Sequence, residues 1–321
     1  MIRRRTMLAV SAAAALARPA WAGPSVTILV GGKAGSQVDA LARAFVPFLT
    51  RHLPDTAIAI SNVPGVAGLA SLQALGQAEP TGATLAWVST PTVAARMVDR
   101  AADTLLRQIT LVGAVEKEPI AIVSPAATPL TSVQDIIARA ADDAEAVPLG
   151  TPPAGSAAHL TALRLQALAG TRLNIVAFPS AASARQAAVA GNVAAAALGL
   201  SSAIGDLREG RLVGLGIAAT TRADAFPDMP PLRDSGLDLS AVIRRGLAAP
   251  AGLAEAVSHR LAAALQAVVD DAEFRELADA GGFVAKWRDG TSWTADAEAE
   301  RSDLAKLWAT EPWLQEGAEQ P

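Results

Sequence analysis

Three times in its first ninety residues the chain runs from an apolar β-branched stretch into a turn of small residues. Val26–Val30 leads through Gly31-Gly32-Lys33-Ala34-Gly35-Ser36 into Gln37–Arg51, whose apolar Leu41, Phe45, Phe48 and Leu49 fall at helical spacing. Ala57–Ile60 leads through Ser61-Asn62-Val63-Pro64-Gly65-Val66-Ala67-Gly68 into a helix over Leu69–Leu75. Thr84–Val88 ends in Ser89-Thr90-Pro91. Alternation of this kind predicts a parallel sheet with ligands at the carboxyl ends of its strands.

The pattern changes in the middle of the chain and then returns. Ile109–Val115 and Ile120–Ser124 read as two strands around the polar Glu116-Lys117-Glu118-Pro119, crossing into a second domain. There Val133–Ala140, Ala157–Leu168, Ser183–Val189 and Leu200–Leu207 read as helices, and Val147–Gly150, Leu173–Ala177, Val193–Leu198 and Leu212–Ala218 as strands. Pro227, Pro230 and Pro231 mark a linker. Ala241–Ala249 is a strand returning to the first domain. It is followed by the amphipathic Leu253–Val269, with Leu253, Val257, Leu261, Leu265 and Val268 on one face, and by helices Asp271–Ala280 and Ser292–Leu307. Trp287, Trp293, Trp308 and Trp313 are expected to pack the last helix onto its own domain.

Residues 1–22 change the picture from a cytoplasmic to an exported protein. Arg3, Arg4 and Arg5 precede the apolar Met7–Leu16, and Ala20-Trp21-Ala22 is a small-residue cleavage site, so a signal peptide cut after Ala22 is expected. The arginines are compatible with a twin-arginine signal without matching it fully, and Sec export stays open. Without the four arginines of this segment, 23 of the 27 basic residues remain against 31 acidic ones, a net charge of −8. That argues against a nucleic-acid partner and means that an anion must be held by local groups, not by the overall field. The 321 residues suffice for two domains; zero cysteines exclude disulfides and thiolate zinc, and apolar runs after residue 30 are too short and broken to span a membrane. The periplasm of a bacterium is the expected location.

The candidate chemistry sits in the turns. Glycines let backbone approach a ligand, and the first amides of the following helix point into the turn with partial positive charge. A carboxylate or phosphate fits such a place. The first turn lacks the G-x-G-x-x-G order of a dinucleotide fingerprint, and Lys33 is not followed by the Ser or Thr of a Walker loop. Ser36 and Ser156 are placed either to cap their helices or to touch ligand. Asp39 is placed either to hold a water or ligand hydroxyl, or simply to be favoured by the helix dipole. His159 lies in the first turn of a helix near the ligand side; His52 and His259 read as helix-surface residues. Gly199-Leu200-Ser201-Ser202-Ala203 approaches a nucleophile elbow, which makes an exported serine hydrolase using Ser201 the alternative reading. Its base would have to be His259, inside an amphipathic helix beside Arg260. No residues are spaced as a metal site, and no cofactor is expected.

Read together, the turns resemble the periplasmic solute receptors of tripartite tricarboxylate transporters (the Bug, or TctC-like, receptors). The family's Pro-Gly-Gly-x-x-Asp turn and following Ile-Leu-Ala-Arg correspond to Ala34–Arg43, its Asn-Arg-Pro-Gly-Ala-Gly-Gly to Asn62–Gly68, and its Pro-Asp-Gly-Tyr-Thr-Leu to Pro80–Leu85. Its Gly-x-Gly-Ser-x-x-His-Leu corresponds to Ala154–Leu160, and Ala225–Pro230 and Leu247–Gly252 follow in order. The resemblance implies two doubly wound α/β lobes joined by hinge strands around a ligand cleft, as in type II periplasmic binding proteins. The lobes would be 23–115 with 237–321, and 116–236. It implies a small organic acid as ligand, bound through Gly35, Ser36, Asp39, Gly65, Val66, Gly68, Ser89, Thr90, Gly155, Ser156, His159, Phe178, Ser201 and Arg244, and delivery by a monomer to membrane transporter subunits or a sensor kinase. The chain departs from the family at Phe178, where a Tyr is usual, at Ala194 and Leu198, where Asp is usual, and at Ile243-Arg244-Arg245, near a usual Ser-Trp pair. Arg244 either pairs with a second carboxylate or is solvated at the lobe edge. An aromatic or nitrogenous solute is a further possibility for the same fold.

Overall fold

The βα units fold as their pattern predicts. The computed structural model describes residues 25–314 apart from 66, 67, 103 and 129. The predicted signal peptide and Val66 therefore lie outside the described residues. Strands β1 (Ser25–Val30), β2 (Ala57–Asn62) and β3 (Thr84–Thr90) run parallel in the order β2-β1-β3. Helices α1 (Gln37–His52) and α2 (Leu69–Gly76) begin where the small-residue turns end. In the second half, β5 (Leu149–Thr151), β6 (Ile175–Ala177) and β7 (Ala195–Gly199) are also parallel, in the order β7-β5-β6. They are covered by α5 (Val133–Asp142), α6 (Ala157–Ala169), α7 (Ala181–Val189) and α8 (Leu200–Arg208).

Two strands are shared between these halves. β4 (Ile109–Pro125) is one continuous strand of 17 residues, not two strands around a turn. Its first part pairs with β9 (Val242–Pro250) and β10 (Val284–Asp289), its last with β7 and β8 (Leu212–Ala218), all antiparallel. The polar quartet Glu116–Pro119 marks the place where β4 changes partners. Its two carboxylates look like turn residues but are fully buried, because Arg245 on β9 reaches both: Nη1 lies 3.3 Å from Glu116 Oε2, and Nη2 bonds Glu118 Oε2. Pro119 sits opposite Val242, the first residue of β9, just before β7 and β8 take over the pairing at Ile120.

Separate cores flank the shared strands, giving a two-lobed α/β molecule. One gathers Phe45, Trp87, Phe274 and Phe283 beneath α1, α9 (Glu255–Asp270) and α10 (Ala272–Gly281). The other gathers Ile122, Ile136, Leu149 and Leu165. Four elements are not foreseen by the sequence pattern: α3 (Thr92–Asp99), the short α4 (Leu105–Gln108), the 3-10 helix Leu232–Ser235 and β10.

The last helix, α11 (Gly290–Thr310), serves both halves. Trp293 at its start is fully buried and donates Nε1–H to Thr90 Oγ1 at 3.0 Å. At its far end, Leu304 and Trp313 pack with Ala94 and Ala95 of α3 and with Leu160 and Leu163 of α6. Arg164 of α6 bonds Glu300 at 2.6 Å. The expectation that the tryptophans hold this helix to a single domain is thus corrected. Trp313 lies against α6, and Trp287 belongs to β10, over Gly113.

Candidate functional site

Gly31 and Gly68 bring the first two turns into backbone contact. A Cβ on Gly31 would lie 2.6 Å from Gly68 Cα, so this crossing tolerates no side chain. Asp39 and Asn62 tie the turns together. The buried Asp39 carboxylate accepts the Gly35 amide at 2.8 Å, Asn62 Nδ2 at 2.9 Å and Arg43 Nε at 2.9 Å, and Asn62 Nδ2 also donates to Gly32 O. The Arg43 bond, helped by Gly35 and Asn62, holds the Asp39 carboxyl down at about 2 against burial, so it is charged at any physiological pH.

Beside this crossing lies a cavity of about 410 Å³. The β1 and β2 turns contribute Gly31, Gly32, Ser36, Gly65 and Gly68; the end of β3 contributes Ser89, and the β5–α6 turn contributes Pro152–Ala154 and Ser156. Trp87 and Leu72 supply apolar wall. The carboxyl ends of strands from both halves therefore open on one space, as the parallel-sheet rule requires.

The two helix-start serines behave differently. Ser156 caps α6, its Oγ accepting the His159 amide at 3.3 Å. Ser36 has cap backbone geometry but no side-chain cap bond, and its buried Oγ has no hydrogen-bond partner among the described residues. It lines the cavity together with Arg96 of α3, a fully buried guanidinium ion-paired with Asp99. Arg96 is the site residue that sequence reasoning missed. Its signal was a lone cation in the apolar run Val93–Val98, with Asp99 three residues on.

Of the candidates named from sequence, Ser36, Gly65, Gly68, Ser89 and Ser156 meet around the cavity. The others sit around it or away from it. The Gly35 amide is taken by Asp39, whose carboxylate is itself fully committed to the turns. Thr90 is buried under Trp293. Gly155, at φ +74, faces Arg96. His159 is buried on α6, and burial pushes its pKa down to about 4, so it is neutral. Phe178 packs on the α7–α8 core. Arg244 lies on β9 and pairs with Asp296, Nε to Oδ2 at 3.4 Å, in a group that includes Arg288. Ser201 belongs to the junction of the halves: its Oγ donates to Glu118 Oε1 at 2.7 Å and accepts from Gln37 Nε2 at 2.8 Å. Ser202 Oγ donates to Gln37 Oε1 at 2.7 Å.

The family profile described as the tripartite tricarboxylate transporter family receptor matches residues 41–297. The chain belongs to this receptor family. A UPF0065 protein of Bordetella bronchiseptica is 30% identical over 248 residues, covering 77% of this chain and 73% of its own. Solved structures share the fold. MatC of Rhodopseudomonas palustris with bound malate superposes with a TM-score of 0.78 at 24% identity, covering 88% of this chain and 98% of its own. An R. palustris protein with adipate gives 0.79 at 20%, covering 90% and 98%. BugD, a periplasmic binding protein, gives 0.77 at 20%, covering 89% and 97%. Receptors of this family bind solutes and are not enzymes, which removes the hydrolase alternative. The geometry gives the physical reason: the Ser201 hydroxyl is committed to a carboxylate and an amide, and no histidine bonds it among the described residues.

Proposed function

We propose that the chain is a periplasmic receptor that captures a small organic carboxylate in the cavity between the glycine turns and, as a monomer, delivers it to the membrane subunits of a tripartite transporter. The observation that carries this reading is the convergence of the β1, β2 and β5 turns on one space, with the Ser36 hydroxyl buried and unpartnered at its wall. A buried hydroxyl without a partner costs about 1–3 kcal/mol, which a ligand oxygen recovers. The first amides of α1 and α2 past Ser36 and Gly68, whose own N–H groups already bond Lys33 O and Gly65 O, complete an anion site that needs little overall positive charge. The family relatives solved with malate and adipate support this ligand class.

The two lobes, 23–115 with 237–321 and 116–236, close over the ligand about β4 and β9. Gln37 bonding Ser201 and Ser202 across the junction is the latch of that closure. Export by the signal peptide over residues 1–22 places the receptor where it meets its solute.

A thermal-shift screen of mono-, di- and tricarboxylates tests this. A carboxylate at 100 times its dissociation constant stabilises the fold by about 2.7 kcal/mol, several degrees for a chain this size. Absence of stabilisation by every carboxylate, with stabilisation by neutral or cationic solutes, overturns the reading.

A further inference from the structure

Arg96 has a structural partner but also a spare edge. It lies in the last turn of α3 among the buried Val93, Ala94, Ala95 and Met97. One side of its guanidinium meets Asp99, which Trp313 Nε1 holds at 2.7 Å. Its Nε is buried and has no hydrogen-bond partner among the described residues, although the residue lines the cavity. A guanidinium has five donors in a planar fork, so a bond to one carboxylate leaves room for another. Gly155 enforces the approach from the other half: a Cβ there would fall on Arg96 Nη2, so the β5–α6 turn meets the guanidinium only as glycine.

The position of this cation matters. The glycine crossing belongs to β1 and β2; Arg96 follows β3, on the other side of β1. Neighbouring strands are about 4.8 Å apart, so the ends of β2 and β3 are separated by roughly 10 Å. That is the span of a short dicarboxylate. One carboxylate is accommodated by amides alone, but burying a second charge without a cation is costly.

Resting on the receptor reading above, we infer that Arg96 is the specificity-determining residue of the cavity, receiving through its Nε edge the second carboxylate of a dicarboxylate whose first lies on the amide turns. Asp99 and Trp313 act as positioning residues that hold the guanidinium in place.

The test is the ratio of affinities for adipate and hexanoate, measured by calorimetry on the full mature protein. The wild type is expected to favour adipate at least tenfold. Arg96→Met alone strands Asp99 in the interior, so the informative variant is R96M/D99N, in which the amide oxygen still accepts from Trp313. In it the ratio falls to near one. R96K keeps the ion pair but loses the fork, and the ratio falls at least threefold; this variant decides the matter if the double variant does not fold. A wild type without preference, or either variant with the wild-type ratio, overturns the inference while leaving a carboxylate receptor standing. Failure of the wild type to bind either acid overturns the inference, while the receptor reading stands or falls with the full carboxylate screen above.

Discussion

Replacing Gly31 by Ala probes the crossing of the two turns directly. The added methyl would sit 2.6 Å from Gly68 Cα and 2.8 Å from Ser71 Oγ. Carbon atoms pack best at about 3.5–4.0 Å, so the turns must part by roughly 1 Å. Neither neighbour yields easily: one is backbone, and Ser71 Oγ donates to Gly68 O at 2.7 Å. Overpacking of this kind costs about 1–3 kcal/mol of stability. Displaced amides also lose bonds to a bound carboxylate, each worth about 1.5–3 kcal/mol, or roughly tenfold to a hundredfold in affinity. Urea denaturation without ligand and calorimetry with adipate measure the two effects. Gly35→Ala is the control: a Cβ there meets nothing within 4 Å, the φ of +78 costs about 1–2 kcal/mol of stability, and its amide already belongs to Asp39. Adipate affinity should therefore change far less than in Gly31→Ala. If Gly31→Ala unfolds at the wild-type urea concentration and binds adipate normally, the turns do not meet as described.

Two buried groups set opposite slopes in stability against pH. Burial lifts the Glu116 carboxyl from 4.5 to about 7, so the folded protein keeps a proton that the unfolded chain releases. Its contribution is complete below pH 4.5 and is lost as pH rises through 7. Burial lowers His159 from 6.5 to about 4, so its contribution is complete above pH 6.5 and is lost as pH falls through 4. Between pH 4.5 and 6.5 the two oppose each other: melting temperatures of Glu116→Gln should rise more steeply with pH than wild type, and those of His159→Gln less steeply. Parallel curves for all three proteins would contradict both assignments. Ser201→Ala strands part of the buried Glu118 carboxylate and leaves Gln37 without its acceptor. It should lose about 1–3 kcal/mol of stability, and ester turnover should be equally absent from variant and wild type; turnover abolished only in the variant would restore the hydrolase reading.

The parts of the fold legible in the sequence are those written in neighbouring residues. Val26–Val30 and Gly31–Ser36 carry strand and turn in eleven consecutive positions, and α1 begins at Gln37 where the pattern places it. What is not legible depends on residues far apart. Glu116 and Glu118 resemble turn residues until Arg245, more than a hundred positions later, neutralises them inside one long strand. Arg244, next to it, belongs to Asp296 on the last helix, a partner that only the return of β9 beside β4 reveals. Arg96 is hidden for the same reason: its setting is made by Gly155 and, through Asp99, by Trp313. Ser36 and Ser156 share a helix-start sequence and both line the cavity, yet only packing decides that Ser156 caps its helix while the Ser36 hydroxyl is left unpartnered.

Backbone amides of converging turns recognising a carboxylate is the claim on which the rest depends. Amide chemical shifts of the ¹⁵N-labelled mature protein, followed during titration with adipate, test it most directly. The account predicts that the largest shifts fall on Gly31, Gly32, Ser36, Gly65, Gly68 and Ser156. Largest shifts instead around Lys117 and Lys286, which line a second pocket of about 300 Å³ beside β4 and β10, would contradict it.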